Sequence, residues 1–291
     1  MKLSALQLTE LLEGYDGEAL AAQLSCPVCG SESSVDDTVC TIHPERPLAV
    51  DLRKCIRCHH GWIDPLPAQA FLNHLYGGGS RSVIGADWVK TEFTIPEAIA
   101  VSEAATLPAN RYLEIGVGQG LLYRHFADAG WSTAGVDPGD WAASLPGIVR
   151  SIDDIDVGRR FDLIVAMDVL EHVRDPVAMV RRLRELAAPG ARLFMAFPNR
   201  ASLRARVGKG SWRMVRPLGH LHFFSPRSAR LMLKEAGWDA ERVRTTDLMH
   251  RHEVRNVRAA LLYLGQLLGF GDQLIVSARP TLRASARTAP A

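Results

Sequence analysis

From Arg111 onward, short apolar runs of strand length alternate with segments whose apolar residues recur at helical spacing. RYLEIGV (111–117) predicts a strand, GLLYRHFADAG (120–130) a helix closed by Gly130, and STAGVD (132–137) a second strand. GIVRSI (147–152) and FDLIVAM (161–167) predict the third and fourth strands. PVAMVRRLRELAAPG (176–190) predicts a helix ending at Pro189 and Gly190, and ARLFMAFP (191–198) a fifth strand. After an irregular stretch, SPRSARLMLKEAGW (225–238) has the periodicity of a helix, with Ser225 as N-cap and Pro226 in its first turn. ERVRTTDL and DQLIVSA complete the pattern as late strands, separated by a long helix around VRNVRAALLYLGQLL. Such alternation predicts an α/β fold, a Rossmann-like parallel sheet with helices on both faces.

Upstream of Arg111 the pattern changes. Residues 1–23 read as an amphipathic helix interrupted by Gln7, Glu10 and Glu13, and 24–64 as a Pro-containing, cysteine-bearing module without helical periodicity. Residues 65–107 form a connecting helical segment, broken at Gly77 to Gly79 and closing with a helix over 92–107. The main domain is expected over 108–280, with 281–291 a disordered tail of Ala, Thr, Ser and Arg.

The chain has 291 residues, of which 47% are hydrophobic, enough for one large or two unequal domains. Its formal net charge of +2 sets up no global field for nucleic acid or membrane. No apolar run approaches the roughly 20 residues that span a bilayer, and the N-terminus lacks the basic start and continuous apolar core of a signal peptide. A cytoplasmic protein without membrane insertion is the expectation. All five cysteines precede residue 60, and clustering in a reducing compartment favours metal over disulfide.

Glycines at alternate positions, Gly116, Gly118 and Gly120, end the first strand and open a helix. Without Cβ atoms a ligand can approach the backbone there, and the helix N-terminus offers free amides. The dinucleotide pattern G-x-G-x-x-G is not met, because the third glycine comes one residue early and Leu121 fills its place. Glu114, two residues before the first glycine, would repel phosphate and attract a cation. The pattern E-x-G-x-G-x-G resembles motif I of class I S-adenosylmethionine-dependent methyltransferases, which implies a seven-stranded, mostly parallel sheet and S-adenosyl-L-methionine as cofactor. Asp137, ending the second strand, is placed to accept hydrogen bonds from two ribose hydroxyls, with Pro138 beside it. FDLIVAMDVLEHVRDP (161–176) resembles the fourth-strand motif of the branch related to ubiquinone-biosynthesis methyltransferases, and HLHFFSPRSARLMLKEAGW a stretch of many bacterial members. The resemblance covers about residues 110–280 and implies further cofactor contacts at Met167 and around Ser151, Ile152 and Asp153. WAASLPG, shorter than the helix usual there, implies a more open adenine pocket.

Cys26 with Cys29 and Cys55 with Cys58 form two C-x-x-C knuckles, each followed shortly by glycine. Four thiolates make a closed tetrahedral site, hence structural Zn2+ in a ribbon-like module, with a β-hairpin accounting for the long gap. Cys40 with His43 is a third possible pair, and His59 or His60 could replace a cysteine. The module has few basic residues and little aromatic interleaving, so nucleic acid is not the expected partner. LRKCIRCHHGWIDPLP, running on to LNHLY, resembles a small zinc-binding domain found ahead of methyltransferases for sugars and other small molecules, implying a packing module or a substrate lid.

Methyl transfer to a neutral hydroxyl requires a base. His172, after the fourth strand, is the first candidate and His220 in HLHFF the second, with His222 nearby. Asp168 and Glu171 could hold a divalent metal or merely charge a helix N-terminus, and Trp212 could floor an acceptor pocket or pack on the sheet. The expected activity is O-methylation of a small molecule, most simply a sugar or glycan intermediate. Its rivals are C-methylation of a nucleotide-linked sugar, modification of RNA or protein, and a binding protein that keeps the fold without turnover.

Overall fold

The computed structural model describes residues 20–41, 49–77, 92–107, 110–140, 142–216, 219–246 and 256–281. The expectations for residues 1–19, for His43 and for the tail from residue 282 lie outside these. The N-terminal part is built of strands: β1 (Leu20–Ala21), β2 (Ser34–Thr41), β3 (Ala49–Cys55), β4 (Gly61–Asp64) and β5 (Leu66–Pro67). Helix α1 (Gln69–Gly77) follows, then α2 (Ile95–Ala104), which Thr94 opens with a capping box closed by Glu97.

The central sheet begins with β6 (Arg111–Ile115), followed by α3 (Leu121–Asp128), β7 (Ser132–Val136), β8 (Ile148–Val149) and β9 (Phe161–Met167). After these come α4 (Pro176–Leu186), β10 (Ala187–Pro198), the short α5 (Leu203–Gly208), β11 (His222–Phe223), α6 (Pro226–Glu235), β12 (Trp238–Thr246), α7 (Val257–Leu267) and β13 (Gln273–Pro280). Seven strands pair in the order β12-β13-β10-β9-β6-β7-β8. The five from β10 to β8 run parallel, while β13 is antiparallel to both β10 and β12. The chain winds outward from β6 through β7 to β8, then returns to the other side of β6 with β9. That reversal opens a crevice at the C-terminal ends of β6 and β9, where ligands bind in doubly wound sheets.

Alternation along the strands divides the core in two. Leu113, Ile115, Ile164, Leu193 and Met195 face α4 and α6, while Tyr112, Leu163, Val165 and Phe194 face α2 and α3. The first cluster also takes in Cys26, Cys55, Cys58 and Trp62, so the cysteine module shares its core with the sheet.

Three boundaries differ from the sequence expectations. The helix expected over 176–190 stops at Leu186, and the chain passes directly into β10, where Ala187 pairs with Phe161. Pro189 and Gly190 fall in a bulge of that strand, where a missing N–H costs no ladder bond and Gly190 takes φ +77°. The third strand shortens to Ile148–Val149, because Ser151 turns its side chain back to cap a 3-10 turn. The helix from Ser225 ends at Glu235, since Gly237 at φ +80° reverses the chain and Trp238, whose indole donates to Val180 O, already belongs to β12.

One buried ion network ties α2 to the antiparallel edge. Glu103 accepts from Arg192 at 2.9 Å, from Ser277 at 2.7 Å and from Arg242 at 3.2 Å. Burial pushes its carboxyl up, but the Ser277 and Arg192 hydrogen bonds and the charges of Arg192 and Arg242 outweigh this, leaving it below the ordinary range. A depressed carboxyl contributes stability that is present above its unfolded pKa and lost as pH falls through the folded one. Glu103→Ala, which removes the nearest carboxylate of buried Arg192 and leaves it Glu241 at 3.4 Å, should therefore cost about 3–5 kcal/mol in urea unfolding at neutral pH. The difference from wild type should shrink in acid, below the ordinary carboxylate range.

Candidate functional site

The loop between β6 and α3 is shaped by three left-handed glycines, Gly116 at φ +75°, Gly118 at +52° and Gly120 at +73°. Gly116 N bonds Val136 O at 2.8 Å, which holds the loop against β7. A Cβ on Gly116 would lie 2.5 Å from Val169 Cγ2, and one on Gly120 2.5 Å from Leu145 Cδ1. The glycine loop is thus packed between the segment after β9 and the shortened WAASLPG stretch. Asp137, 9% exposed, accepts from Gly118 N at 2.7 Å and from Gly139 N at 2.8 Å. Burial raises its pKa against those two amides and the Arg150 charge. With one amide on each oxygen, its carboxylate keeps acceptor capacity for two further donors.

Glu114 is buried and accepts from Tyr112 Oη at 2.9 Å, so its carboxylate is fixed in the wall behind the loop. Pro138 gives its carbonyl to Arg150. Ser151 caps the turn of Ile152 and Asp153, with Ile152 buried, and Met167 sits partly buried at the end of β9. These residues gather around the C-terminal ends of β6, β7, β8 and β9.

Across the crevice, the segment after β9 carries the titratable groups. Asp168 turns outward at φ +52°, exposed, and its Oδ1 accepts from Gln273 at 3.2 Å. Glu171 is fully buried, and neither carboxyl oxygen has a hydrogen-bond partner among the described residues. His172 Nδ1 lies 2.6 Å from Gly219 O and His220 Nδ1 2.8 Å from Met214 O. A carbonyl only accepts, so each neutral ring carries its proton on Nδ1. The two rings meet edge to face at 4.9 Å, and one ligand atom from each of Glu171, His172 and His220 lies within 4.8 Å of the others. Burial drives His172 down to about 4 and His220 to about 3. Burial and the nearby Asp168 charge push the Glu171 carboxyl well above the ordinary range. Burial thus disfavours the charged form of all three groups. Asp168 lies outside this cluster, and Glu171 does not serve as an exposed helix-end charge.

His222 is elsewhere. Its Nε2 donates to Arg174 O at 3.2 Å, and its Nδ1 meets His60 Nε2 at 3.1 Å. His60, fully buried between Trp62 and Phe224, is therefore engaged with His222 and is not among the grouped cysteines. Trp212 is buried beside Phe223, packed into the fold, and donates to Asp272 Oδ1 at 2.8 Å.

The four cysteines of the two knuckles converge. Cys26 and Cys58 sulfurs are 3.5 Å apart, as are those of Cys29 and Cys55, and all four lie within 4.8 Å of one another. Both knuckles turn through a left-handed residue directly after the second cysteine. In the first it is Gly30 at φ +66°, but in the second it is His59 at +63°, not the expected glycine. Gly61 serves a different purpose, since a Cβ there would lie 2.8 Å from Arg200 Nε. Cys40 sits in β2 opposite Val50.

The family model described as a methyltransferase domain matches residues 94–243, just over half of the chain and the whole of this crevice. The chain belongs to the methyltransferase-domain family. It is an S-adenosylmethionine-dependent methyltransferase of class I, with the mostly parallel seven-stranded sheet that the glycine motif implies. The ubiquinone biosynthesis O-methyltransferase of Nitrosospira multiformis is 29% identical over 163 residues, 49% of this chain and 68% of that one. That of Hahella chejuensis is 31% identical over 114 residues, 34% of this chain and 48%, about half, of its own length. The CcbJ methyltransferase structure from Streptomyces caelestis has 18% identity and a TM-score of 0.48, covering 71% of this chain and 98% of that one.

Sequence reasoning missed the pairing of His60 with His222, the pairing of His172 with His220, and the buried Asp272 hub. Each joins positions far apart in sequence through a tertiary contact that no local pattern encodes. Gly116 yields a direct test. Gly116→Ala places a Cβ against Val169 in a left-handed conformation, so it should lower stability by about 1–3 kcal/mol. Adding Val169→Ala should recover the steric part of the loss, read as a partial rise in the urea midpoint.

Proposed function

We propose that this methyltransferase O-methylates a hydroxyl of a small molecule, and that the cluster of Glu171, His172 and His220 handles the acceptor proton. The observation that carries this reading is the meeting of a fully buried carboxyl with two imidazoles, each held at Nδ1 by a backbone carbonyl, with one ligand atom from each group within 4.8 Å of the others. S-adenosyl-L-methionine supplies an already activated methyl group, leaving orientation and desolvation to the protein. Gly116, Gly118 and Gly120 clear space for it, Glu114 sets a negative wall behind it, and Asp137 takes the ribose hydroxyls next to Pro138. Ser151, Ile152, Asp153 and Met167 border the adenine side. His172 accepts the hydroxyl proton at Nε2 while Gly219 O holds its ring in place, and His220 backs it. The relatives named for ubiquinone biosynthesis are O-methyltransferases, which favours oxygen over carbon as the methylated atom. A sugar or glycan intermediate is the acceptor class that the cysteine module's resemblance suggests.

A second reading rests on the same cluster. Two imidazoles, each with one ring N–H on a backbone carbonyl, and one carboxyl match the donor set of a divalent metal. Glu171 would then bind as carboxylate, and the cation would acidify the acceptor hydroxyl.

We assign the chain in five parts: 1–23, a cysteine module over 24–64, a connecting segment over 65–107, the methyltransferase domain over 108–280, and the tail. Zn2+ fits the module. Tetrahedral Zn–S bonds of about 2.3 Å place sulfurs about 3.8 Å apart, close to the 3.5 Å separations of the two cysteine pairs. No described helix is long and apolar enough to cross a membrane. We place the enzyme in the cytoplasm, where free thiols persist.

Metal analysis of protein purified without added metal should find one zinc per chain, lost in Cys55→Ser. Full zinc in a Cys26→Ser, Cys29→Ser double variant would refute the four-cysteine site.

For the reaction, labelled methyl from S-adenosylmethionine should appear in a small-molecule fraction of a metabolite pool, with none in RNA. Asp137→Ala should weaken cofactor binding by about tenfold or more in calorimetry. His172→Ala should lower turnover by roughly 10²–10⁴-fold while leaving cofactor affinity nearly unchanged. Because the His172 pKa is lowered to about 4, its imidazole is the base form throughout the neutral range. The His172-dependent part of kcat/KM should stay level from pH 8 down to about 5 and fall only in stronger acid. Activity abolished by chelator and restored by a divalent cation would select the metal reading.

A further inference from the structure

Apolar residues left on the surface are concentrated on one face. Val257, Leu261, Leu264 and Leu268 follow one another at steps of four, three and four along α7 and its last turn, which places them on one stripe. They are 77%, 60%, 52% and 72% exposed. Leu203 and Val207, four apart on α5, are exposed as well. The two helices converge at Phe270. Leu203 N donates to Phe270 O at 3.2 Å, and the Arg206 guanidinium lies 5.1 Å from the centre of the Phe270 ring.

Within the two segments that carry these residues the charges have one sign, and the acids of the neighbouring β2, against which Lys209–Ser211 packs, are Asp36 and Asp37. Residues 203–216 contain Arg204, Arg206, Lys209, Arg213 and Arg216 and no acid, and residues 257–270 contain Arg258 and no acid. Arg206, Lys209, Arg213 and Arg216 are exposed. Asp272, which pairs with Arg204 and Arg213, is itself 2% exposed, so the acid stays beneath the surface while the basic groups lie on it. A net charge of +2 conceals this segregation.

We propose that this face adsorbs to an anionic lipid bilayer surface, with the α7 stripe, Leu203, Val207 and Phe270 at the acyl boundary and the basic row on the headgroups. An apolar stripe beside a basic, acid-free row is the combination that holds an interfacial helix in the membrane plane. A second copy of the chain suits the face less well, because a two-fold contact would set the basic row against itself. Adsorption needs no spanning helix.

Co-sedimentation of the full chain with phosphatidylcholine vesicles, with and without phosphatidylglycerol, tests the proposal. Binding is expected only to the anionic vesicles and should weaken as salt is raised. The double variants Leu261→Glu with Leu264→Glu, and Arg206→Glu with Lys209→Glu, should each reduce partitioning about tenfold or more. Val207→Asp is a third probe, and unchanged melting curves would show that the variants remain folded. Equal binding to neutral and anionic vesicles, absence of binding to both, or variants that partition like the parent would overturn it. So would lipid-free self-association that Leu261→Glu abolishes, which would assign the face to a second copy.

Discussion

The backbone carbonyl of Glu171 accepts two amides, from Leu221 at 2.6 Å and from His222 at 3.2 Å. Those two bonds pin residues 219–225 across the end of β9, and much of the molecule's organisation follows from that crossing. On one side of the pin His220 meets His172. On the other, His222 and Phe223 pair with Trp62 and Gly61 as the edge of a four-stranded sheet with β4, β3 and β2. Two residues further on, Ser225 caps α6 and reaches Cys58 O at 3.5 Å. The loop after β9, the cysteine module and the sheet-covering helix are registered by one short segment.

The same crossing buries the titratable groups, and burial decides their charge. Desolvation disfavours the charged form of each group, so imidazoles fall and the Glu171 carboxyl rises toward the same uncharged outcome. This suits a methyltransferase. A sulfonium cofactor would be repelled by an imidazolium nearby, and the negative groups that face the cofactor loop are instead Glu114 and Asp137. Hydrogen bonds from Tyr112 and from the Gly118 and Gly139 amides secure those two carboxyls.

How far the sequence could be read depended on whether the information was local. The glycine spacing, Asp137, the two C-x-x-C knuckles and the Ser225 cap are each encoded within a few residues, and each stands in the structure where the sequence put it. The helix end at Leu186 was misread because Pro189 and Gly190 look like a terminator, whereas pairing of Ala187 with Phe161 draws the chain into a strand before them. Proline stopped nothing. It was admitted at a bulge. The second knuckle was misread for a similar reason, since His59 accepts the left-handed turn that the sequence suggested Gly61 would take. For His60, Trp212 and Glu171 the sequence offered only open alternatives, because contacts at separations of 162, 60 and 50 residues define their surroundings.

Those distant contacts also bear on what the cysteine module does. A lid that swings over substrate must part from the core at low cost. Here β4 shares backbone pairing with β11, Trp62 donates to Gln23 O, and Arg174 Nη1 donates to Pro67 O. Cys26, Cys55 and Cys58 lie in the same apolar cluster as the sheet. Opening such a module would expose that cluster and break the His60–His222 contact, whose partner ring is held by Arg174 just two residues beyond His172. Packing, not gating, is the role this geometry favours. The four sulfurs fix the two knuckles, the knuckles fix the turn at His59 and His60, and His60 in turn braces the segment that carries His220.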